Sequence, residues 1–356
     1  MKKALTICLV IAAILIVAGG ILIAFGIIGN GGIPALSEIG NYTEYTRNFS
    51  ADTTEIRMDL KVNSLTVRKW DGEDIRIHYY EREGKPLTLT ETNGAVSMID
   101  PNRNYVGFWW GEASEEKLRV TVEVPEGFSG ELKLATSTGD ISVSGIVQPD
   151  RALTVTSSTG KIRIEDCRFR EVTATSTTGN IEIESLICGS EQADVYGVLK
   201  VSSSTGGQEY TKVTAGETVL TATTGDIRTE DLSCTSFRAS VSTGRQVHSR
   251  LNVTGDAEIK STTGEIRTDD LTAGGALRIT ATTGSIRTFR TSAGTSLYLE
   301  ATTGSVEGSL YNTSHYFAAD CSSKTGSVQL PTFSAGGTVP LTVRTSTGSI
   351  HLTSAD

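Results

Sequence analysis

Histidine, tryptophan, methionine and proline are all scarce here: four, three, three and seven residues among 356. His78, His248, His315 and His351 fall at unrelated places, so no clustered set is available for a metal or for base-assisted nucleophilic chemistry. None of the five cysteines forms a C-x-x-C pair, which removes the usual zinc spacing. A net charge of −9 supplies no basic surface for phosphate backbones, and nucleic acid is excluded as a partner. Long apolar runs are missing too, with one exception at the N-terminus.

That exception is residues 4–28, from Ala4 to Ile28, which carry no charge. As a helix they are long enough to cross a hydrocarbon layer of about 30 Å with some tilt. Lys2 and Lys3 precede the run, so residues 1–3 are expected in the cytoplasm and the long remainder outside the cell. The run reads as a transmembrane signal anchor, giving a single-pass cell-membrane protein with an extracellular C-terminal domain. A cleaved signal peptide is the competing reading, but the run exceeds an ordinary h-region and no clear A-x-A site follows. Residues 29–41 read as a linker, glycine-rich where they leave the run.

What the chain has in abundance is Thr-Gly. The pair recurs eleven times, with glycines at Gly139, Gly160, Gly179, Gly206, Gly225, Gly244, Gly264, Gly284, Gly304, Gly326 and Gly348. The period of about 20 belongs to solenoids rather than to a domain closed around one centre. Aligned on the glycine, the fifth position before it is apolar in every repeat (Leu134, Val155, Ala174, Val201 and on to Val343). The seventh before it is mostly Leu, Val or Phe, with Thr218 the polar break. After the glycine, apolar residues occupy the second position (Ile141, Ile162, Ile181, Ile227, Ile266, Ile286) and then the seventh (Leu186, Leu232, Leu251, Leu271). Gln208 and Gln246 replace the isoleucine of the second position. Alternation with period two means strands buried on one face, and the change of parity across Thr-Gly means a corner there.

The expected fold is therefore all-β: a parallel β-solenoid of about 20-residue coils, with residues 131–356 forming the regular repeats. Ten rises of roughly 4.8 Å give a rod on the order of 50 Å long. The threonines before each glycine are expected to stack as an inward or corner hydroxyl ladder. Ser190 to Tyr196 marks an insertion loop within a longer interval. Residues 42–130 lack the period but contain alternating segments, such as Glu55-Ile-Arg-Met-Asp-Leu and Leu118-Arg-Val-Thr-Val-Glu-Val, with a turn at Asp71-Gly72. They are expected to form a β-rich cap and the first irregular coils, since an open solenoid end exposes core and strand edge.

The order of these pieces resembles a bacterial β-solenoid family of adhesin-like surface domains of unknown function. The pieces are Trp70-Asp71-Gly72-Glu73-Asp74-Ile75, Val124-Pro125-Glu126-Gly127 and Leu132-Lys-Leu-Ala-Thr-Ser-Thr-Gly139-Asp-Ile-Ser-Val143 with its reiterations. The resemblance spans roughly residues 50–356. It implies a surface-exposed, right-handed β-helix-like rod and brings no catalytic residues.

Candidate sites are few. Arg228, Arg267 and Arg287 share the third position after the glycine and form a candidate strip for anionic wall polymers; solvating charge is the plainer reading of them. Trp109 and Trp110, in Val106-Gly-Phe-Trp-Trp-Gly111, must point to opposite sides of a strand; one is expected to plug the cap and the other to meet a sugar ring or the membrane surface. Acidic residues at the corners (Asp140, Asp226, Glu265, Asp166, Asp231, Asp270) read as solvated turns rather than calcium ligands. Four cysteines lie beyond the anchor; buried free thiols are expected, with a Cys167–Cys188 bridge as the alternative.

No metal, cofactor or catalytic residue is expected. The favoured activity is non-enzymatic, adhesin-like contact with a cell-wall polymer, a glycan or a surface protein, with self-association a further option. The alternatives are a carbohydrate-active β-helix enzyme, drawing acids from Asp231 and Asp270, and an accessory protein of envelope-stress sensing.

Overall fold

The protein is described by a computed structural model covering residues 41–101, 116–190 and 196–355. The Ala4–Ile28 run and the Trp109-Trp110 pair lie outside the described residues. Among the described residues no helix is long and apolar enough to cross a membrane.

Strands entering each Thr-Gly corner stack in one parallel sheet, and strands leaving it stack in a second. In the first, Leu199 lies over Thr218, Phe237 over Ala257 and Leu277 over Leu297. In the second, Ile162 lies over Ile181 and Ile266 over Ile286. The fold is the expected parallel β-solenoid, and the aliphatic columns face its interior: Leu199, Leu220, Ile227, Leu232, Ile259, Ile266, Leu271 and Ile279 are at most 2% exposed. About thirteen layers follow from the pairings, so at roughly 4.8 Å per layer the rod is on the order of 60 Å long.

The glycine column has a physical cause beyond chain flexibility. Gly225, Gly244, Gly264, Gly284 and Gly304 have φ between +137° and +148°, which side-chain-bearing residues rarely adopt. Each sits so close to the glycine of the neighbouring layer that a Cβ at Gly264 would lie 1.9 Å from the Gly244 carbonyl oxygen. Any larger residue would therefore push two layers apart.

The threonines before the glycines do not line the interior. Thr159, Thr178, Thr205, Thr224, Thr243, Thr263, Thr283 and Thr303 are all exposed, because the chain has already turned outward at the corner. The buried small column lies two residues earlier, with Ser157, Ser176, Ser203, Ala222, Ser261, Ala281 and Ala301. Some of its hydroxyls serve the corner carbonyls: Thr345 donates to Gly304 (2.9 Å) and Ser323 to Gly348 (2.7 Å).

A second bend falls six residues after the glycine, where Asp166, Ser185, Lys212, Asp231, Arg250, Asp270 and Arg290 have φ near +50°. It explains why the inward positions change parity a second time, from the second and fourth to the seventh and ninth. The insertion leaves the stack between Cys188 and Val198, closed at its base by a Gly189–Tyr196 bridge.

At both ends the spatial order departs from the order along the chain. Glu55–Leu60 lies between Glu131–Thr136 and Ala95–Ile99, and Ser64–Lys69 between Ile141–Ser144 and Arg119–Val124. At the far end Val339–Thr347 lies between Ser296–Thr303 and Tyr316–Ser323, and Ile350–Ser354 between Val306–Leu310 and Val328–Gln329. The segment from Val339 to Ser354 thus fills the penultimate layer, where Leu352 is 1% exposed.

Candidate functional site

The two rod ends differ in their edges. At the N-terminal end Ile75–Arg82 runs antiparallel to Arg119–Val124 and Tyr42–Phe49 runs antiparallel to Ile75–Arg82, while Thr88–Thr92 covers Ala95–Ile99. The parallel ladder is terminated there by hairpin-like cover. Within this cover Tyr45 stacks on Tyr79 at 5.5 Å.

On the outer side of the same end sits a cluster that periodicity did not single out. The Arg76 guanidinium lies 4.1 Å from the Trp70 ring centroid, and the indole N–H donates to the Asp74 carbonyl at 2.9 Å. Arg76 Nε donates to Glu123 at 2.5 Å and Arg68 to its other oxygen at 2.6 Å. The Glu123 side chain is only 6% exposed. Burial pushes its carboxyl up, but the bonds from Arg68 and Arg76 outweigh this and hold it below the ordinary range. One carboxylate shared by two arginines, one of them lying over an indole, makes a rigid corner that presents an aromatic ring beside guanidinium groups. Alternation in Ser64–Lys69 and Ile75–Arg82 places these arginines on the outer face, but their shared carboxylate comes from a strand more than forty residues later.

The candidate arginine strip is only partly continuous. Arg267 and Arg287 are in direct register, whereas Arg228 is two layers from Arg267 with Val247 between. Their side chains are half exposed, and each has acidic company: Arg267 donates to Asp269 (2.9 Å) and lies 5.3 Å from the Phe289 ring, Arg287 donates to Glu265 (2.8 Å), and Arg228 lies 3.6 Å from Asp226. The strip is therefore locally neutralised rather than strongly cationic. Further along the same column Glu182 stacks on Glu209, beside Arg163 and Arg228, and lines a shallow depression.

At the second bend the left-handed residues form a column of alternating charge: Lys212, Asp231, Arg250, Asp270 and Arg290. Arg250 bonds Asp231 and Glu230, and Arg290 bonds Asp270. The Arg250 hydrogen bond holds the Asp231 carboxyl below its usual range, and Arg290 does the same for Asp270. Both are carboxylates at neutral pH, the wrong state for a general acid. Of the other acidic corners, Asp140 accepts the Lys161 backbone N–H (2.7 Å) and Asp226 that of Arg245 (2.8 Å), so these carboxylates tie one coil to the next. Among the described residues no three acidic, histidine or cysteine side chains are grouped to hold a metal ion.

Cys167, Cys188, Cys234 and Cys321 are free thiols. Cys167 lies over Leu186 and Cys188 over Phe169, so the alternative bridge is not formed. Burial pushes Cys167 up to about 11 and Cys188 and Cys234 up to about 12, which leaves them unreactive as thiolates.

The interior holds a polar seam that sequence patterning did not reveal. Gln208 donates to Ser203 (2.8 Å) and to the Thr221 carbonyl (2.6 Å), and accepts from the Tyr210 hydroxyl (2.7 Å). Gln246 bonds the Lys260 carbonyl and His248, which pairs with Thr229 at 2.9 Å. Thr268, Thr288 and Thr291 bond one another across the next two layers. Polar residues at the fourth position after the glycine would have been the signal, since Thr229, His248, Thr268 and Thr288 share it.

These features define a class: a parallel β-solenoid with strand-capped and strand-open ends, whose surface charges are largely paired. The chain belongs to the Toastrack DUF4097 family, whose model matches residues 53–231 and 192–353. No curated protein matches significantly. Among solved structures, an adhesin candidate from Bacteroides fragilis is 12% identical, with 87% of this chain and 97% of that chain covered and a TM-score of 0.34. A candidate cell adhesion protein from Clostridium sporogenes is 8% identical over 88% and 100%, with a TM-score of 0.24. A candidate lipid-binding protein from Parabacteroides distasonis is 12% identical over 89% and 98%, with a TM-score of 0.33. At such values these likenesses add nothing to the family match.

Proposed function

We propose that the chain is a membrane-anchored extracellular rod that acts by contact rather than catalysis, presenting its flat faces to a cell-wall polymer, a glycan or another surface protein. The observation that carries this reading is the continuous stacking of both sheets from Glu55 to Ser354, with only local register shifts at Gln148/Ala152, Thr288/Thr291 and Ala318/Asp320, in which the candidate acids Asp231 and Asp270 are tied to arginines and Asp140 and Asp226 to backbone N–H groups. A rod of this kind holds a contact surface at a fixed distance from its anchor, here the Ala4–Ile28 run with Lys2 and Lys3 on the cytoplasmic side.

Two measurements test it. Full-length chain is challenged with purified wall polymers and a glycan array, wild type beside Trp109→Ala/Trp110→Ala, Arg76→Ala and Arg267→Ala/Arg287→Ala, while the same polymers are assayed for reducing-sugar release. Binding that weakens in one of these variants, without sugar release, supports the reading; release abolished by Asp231→Asn would overturn it. In intact cells a C-terminal tag should be digested by added protease while an N-terminal tag survives.

A further inference from the structure

The C-terminal end of the rod lacks the antiparallel cover of the other end. Tyr316–Ser323 pairs with Val339–Thr347 on one edge and Val328–Gln329 pairs with Ile350–Ser354; among the described residues neither outer strand has a second neighbour. Leu330 and Phe333 pack against the core nearby. The strand edge itself stays open, with Phe317 and Val328 42% and 41% exposed beside it. We propose that this end is a homotypic docking edge, and that its occupant is the same strand of a second copy, paired antiparallel about Ser322.

The register follows from hydrogen-bond direction and charge. The Lys324 N–H bonds the Thr345 carbonyl, so Ser322 and Lys324 turn their backbone groups toward the layer beneath, and Cys321 and Ser323 turn theirs to the open edge. A two-fold axis at Ser322 brings Cys321 of one copy opposite Ser323 of the other, both with outward backbone groups, which is the hydrogen-bonded pairing an antiparallel ladder requires. The same axis sets Asp320 opposite Lys324 twice. Asp320, which already accepts from Arg344 of its own chain (2.8 Å), and Lys324, one residue beyond the strand's end, both lie on the outer face, and opposite charges on facing residues add to the stability of a strand pair. An axis at Lys324 would instead oppose two lysines. The two-fold at Ser322 also continues the entering sheet of one rod into that of the next. On the anchored reading above, the two anchors then lie at opposite ends of a rod of doubled length, so the contact joins two surfaces.

The test uses the full chain in detergent with Cys8 and Cys321 changed to serine. Facing residues of a non-hydrogen-bonded pair have Cα atoms about 4.5 Å apart, within disulfide range. Ser322→Cys should therefore give an interchain disulfide under mild oxidation, whereas Ser242→Cys, exposed in mid-rod, should not. In sedimentation measurements Lys324→Glu should weaken dimerisation by about tenfold or more, because it faces Asp320 with like charge. Equal cross-linking at 322 and 242, or a dimer indifferent to Lys324→Glu, would overturn the proposal. Either result can stand while the anchored, non-catalytic rod survives, since protease topology and glycan binding report on that separately.

Discussion

Two stretches of the rod share one backbone and fill it differently. From Ile141 to Leu186 the wall after the corner is lined by Ile141, Val143, Ile162, Ile164, Ile181 and Ile183; from Gln208 to Thr291 the second position mixes Gln208 and Gln246 with Ile227, Ile266 and Ile286, and the fourth holds Tyr210, Thr229, His248, Thr268 and Thr288, all buried. The register is unchanged across the boundary. The fold is therefore specified by what the two stretches have in common, the glycine corner and the parallel ladder, and along the wall after the corner it accepts polar side chains that satisfy one another, such as Gln208 with Tyr210 and His248 with Thr229.

The comparison breaks most severely at the shared element. Gly179→Ala in the aliphatic stretch and Gly264→Ala in the polar one should cost similar amounts, roughly 3 kcal/mol or more each, since both add a Cβ against a neighbouring carbonyl at a φ near +140°. Denaturant unfolding of the two variants checks this; a large effect in only one stretch would mean that the core, and not the corner, carries the specification.

Acid separates the stretches next. His248 is fully buried, and desolvation pushes its pKa down to about 3. The fold favours its neutral form, so the stability it contributes is complete above the unfolded pKa of about 6.5 and is lost as pH falls toward the folded value, by about 1.4 kcal/mol per pH unit. The carboxylates held low by arginines, such as Glu123, act only below the ordinary carboxylate range. Wild type should thus weaken between pH 6.5 and 5, and His248→Leu should flatten that interval in thermal melts while leaving the decline below pH 4.

The polar filling is expected to behave as a unit. Gln208→Ile restores the residue type found at Ile181 and Ile227 but strands the Tyr210 hydroxyl and the Thr221 carbonyl, at a cost of about 1–3 kcal/mol. Adding Tyr210→Phe should recover part of that loss, and a double-mutant cycle that came out additive would show the hydrogen bond to be irrelevant.

The residues themselves explain which parts of this were legible. Columns that stay apolar, such as Leu134, Val155, Val201, Leu220 and Ile259, expose the fold at once, because burial is the only simple reason for eleven-fold repetition. Thr229, His248, Thr268 and Thr288 occupy an inward column too, but a buried polar residue looks like a surface residue until its partner is known, and the partner lies a whole layer away. The order of layers was equally hidden: every Thr-Gly corner can stack on every other, so nothing local says that Val339–Thr347 precedes Tyr316–Ser323 in space. The Trp70, Arg76 and Glu123 cluster escaped for the same reason, being assembled across the end of the stack.

The smallest effect concerns the second bend, where the stretches differ again. Ser185 and Asp270 both hold a left-handed backbone, at φ 52° and 58°, where Gly145 occupies the equivalent place in an earlier coil. Ser185 stands between Asp166 and Lys212 but carries no charge to pair with either, so Ser185→Gly relieves the clash of Cβ with the backbone and should stabilise by up to about 1 kcal/mol, offset in part by the entropy glycine adds to the unfolded chain. Asp270→Gly relieves the same clash but removes the carboxylate bonded to Arg290, leaving Arg250 and Arg290 to face each other across the gap. The two substitutions should therefore differ in sign or nearly so, with the midpoint rising for Ser185→Gly and failing to rise for Asp270→Gly. Addition of salt should narrow the difference, because screening weakens the arginine repulsion and leaves the backbone strain untouched.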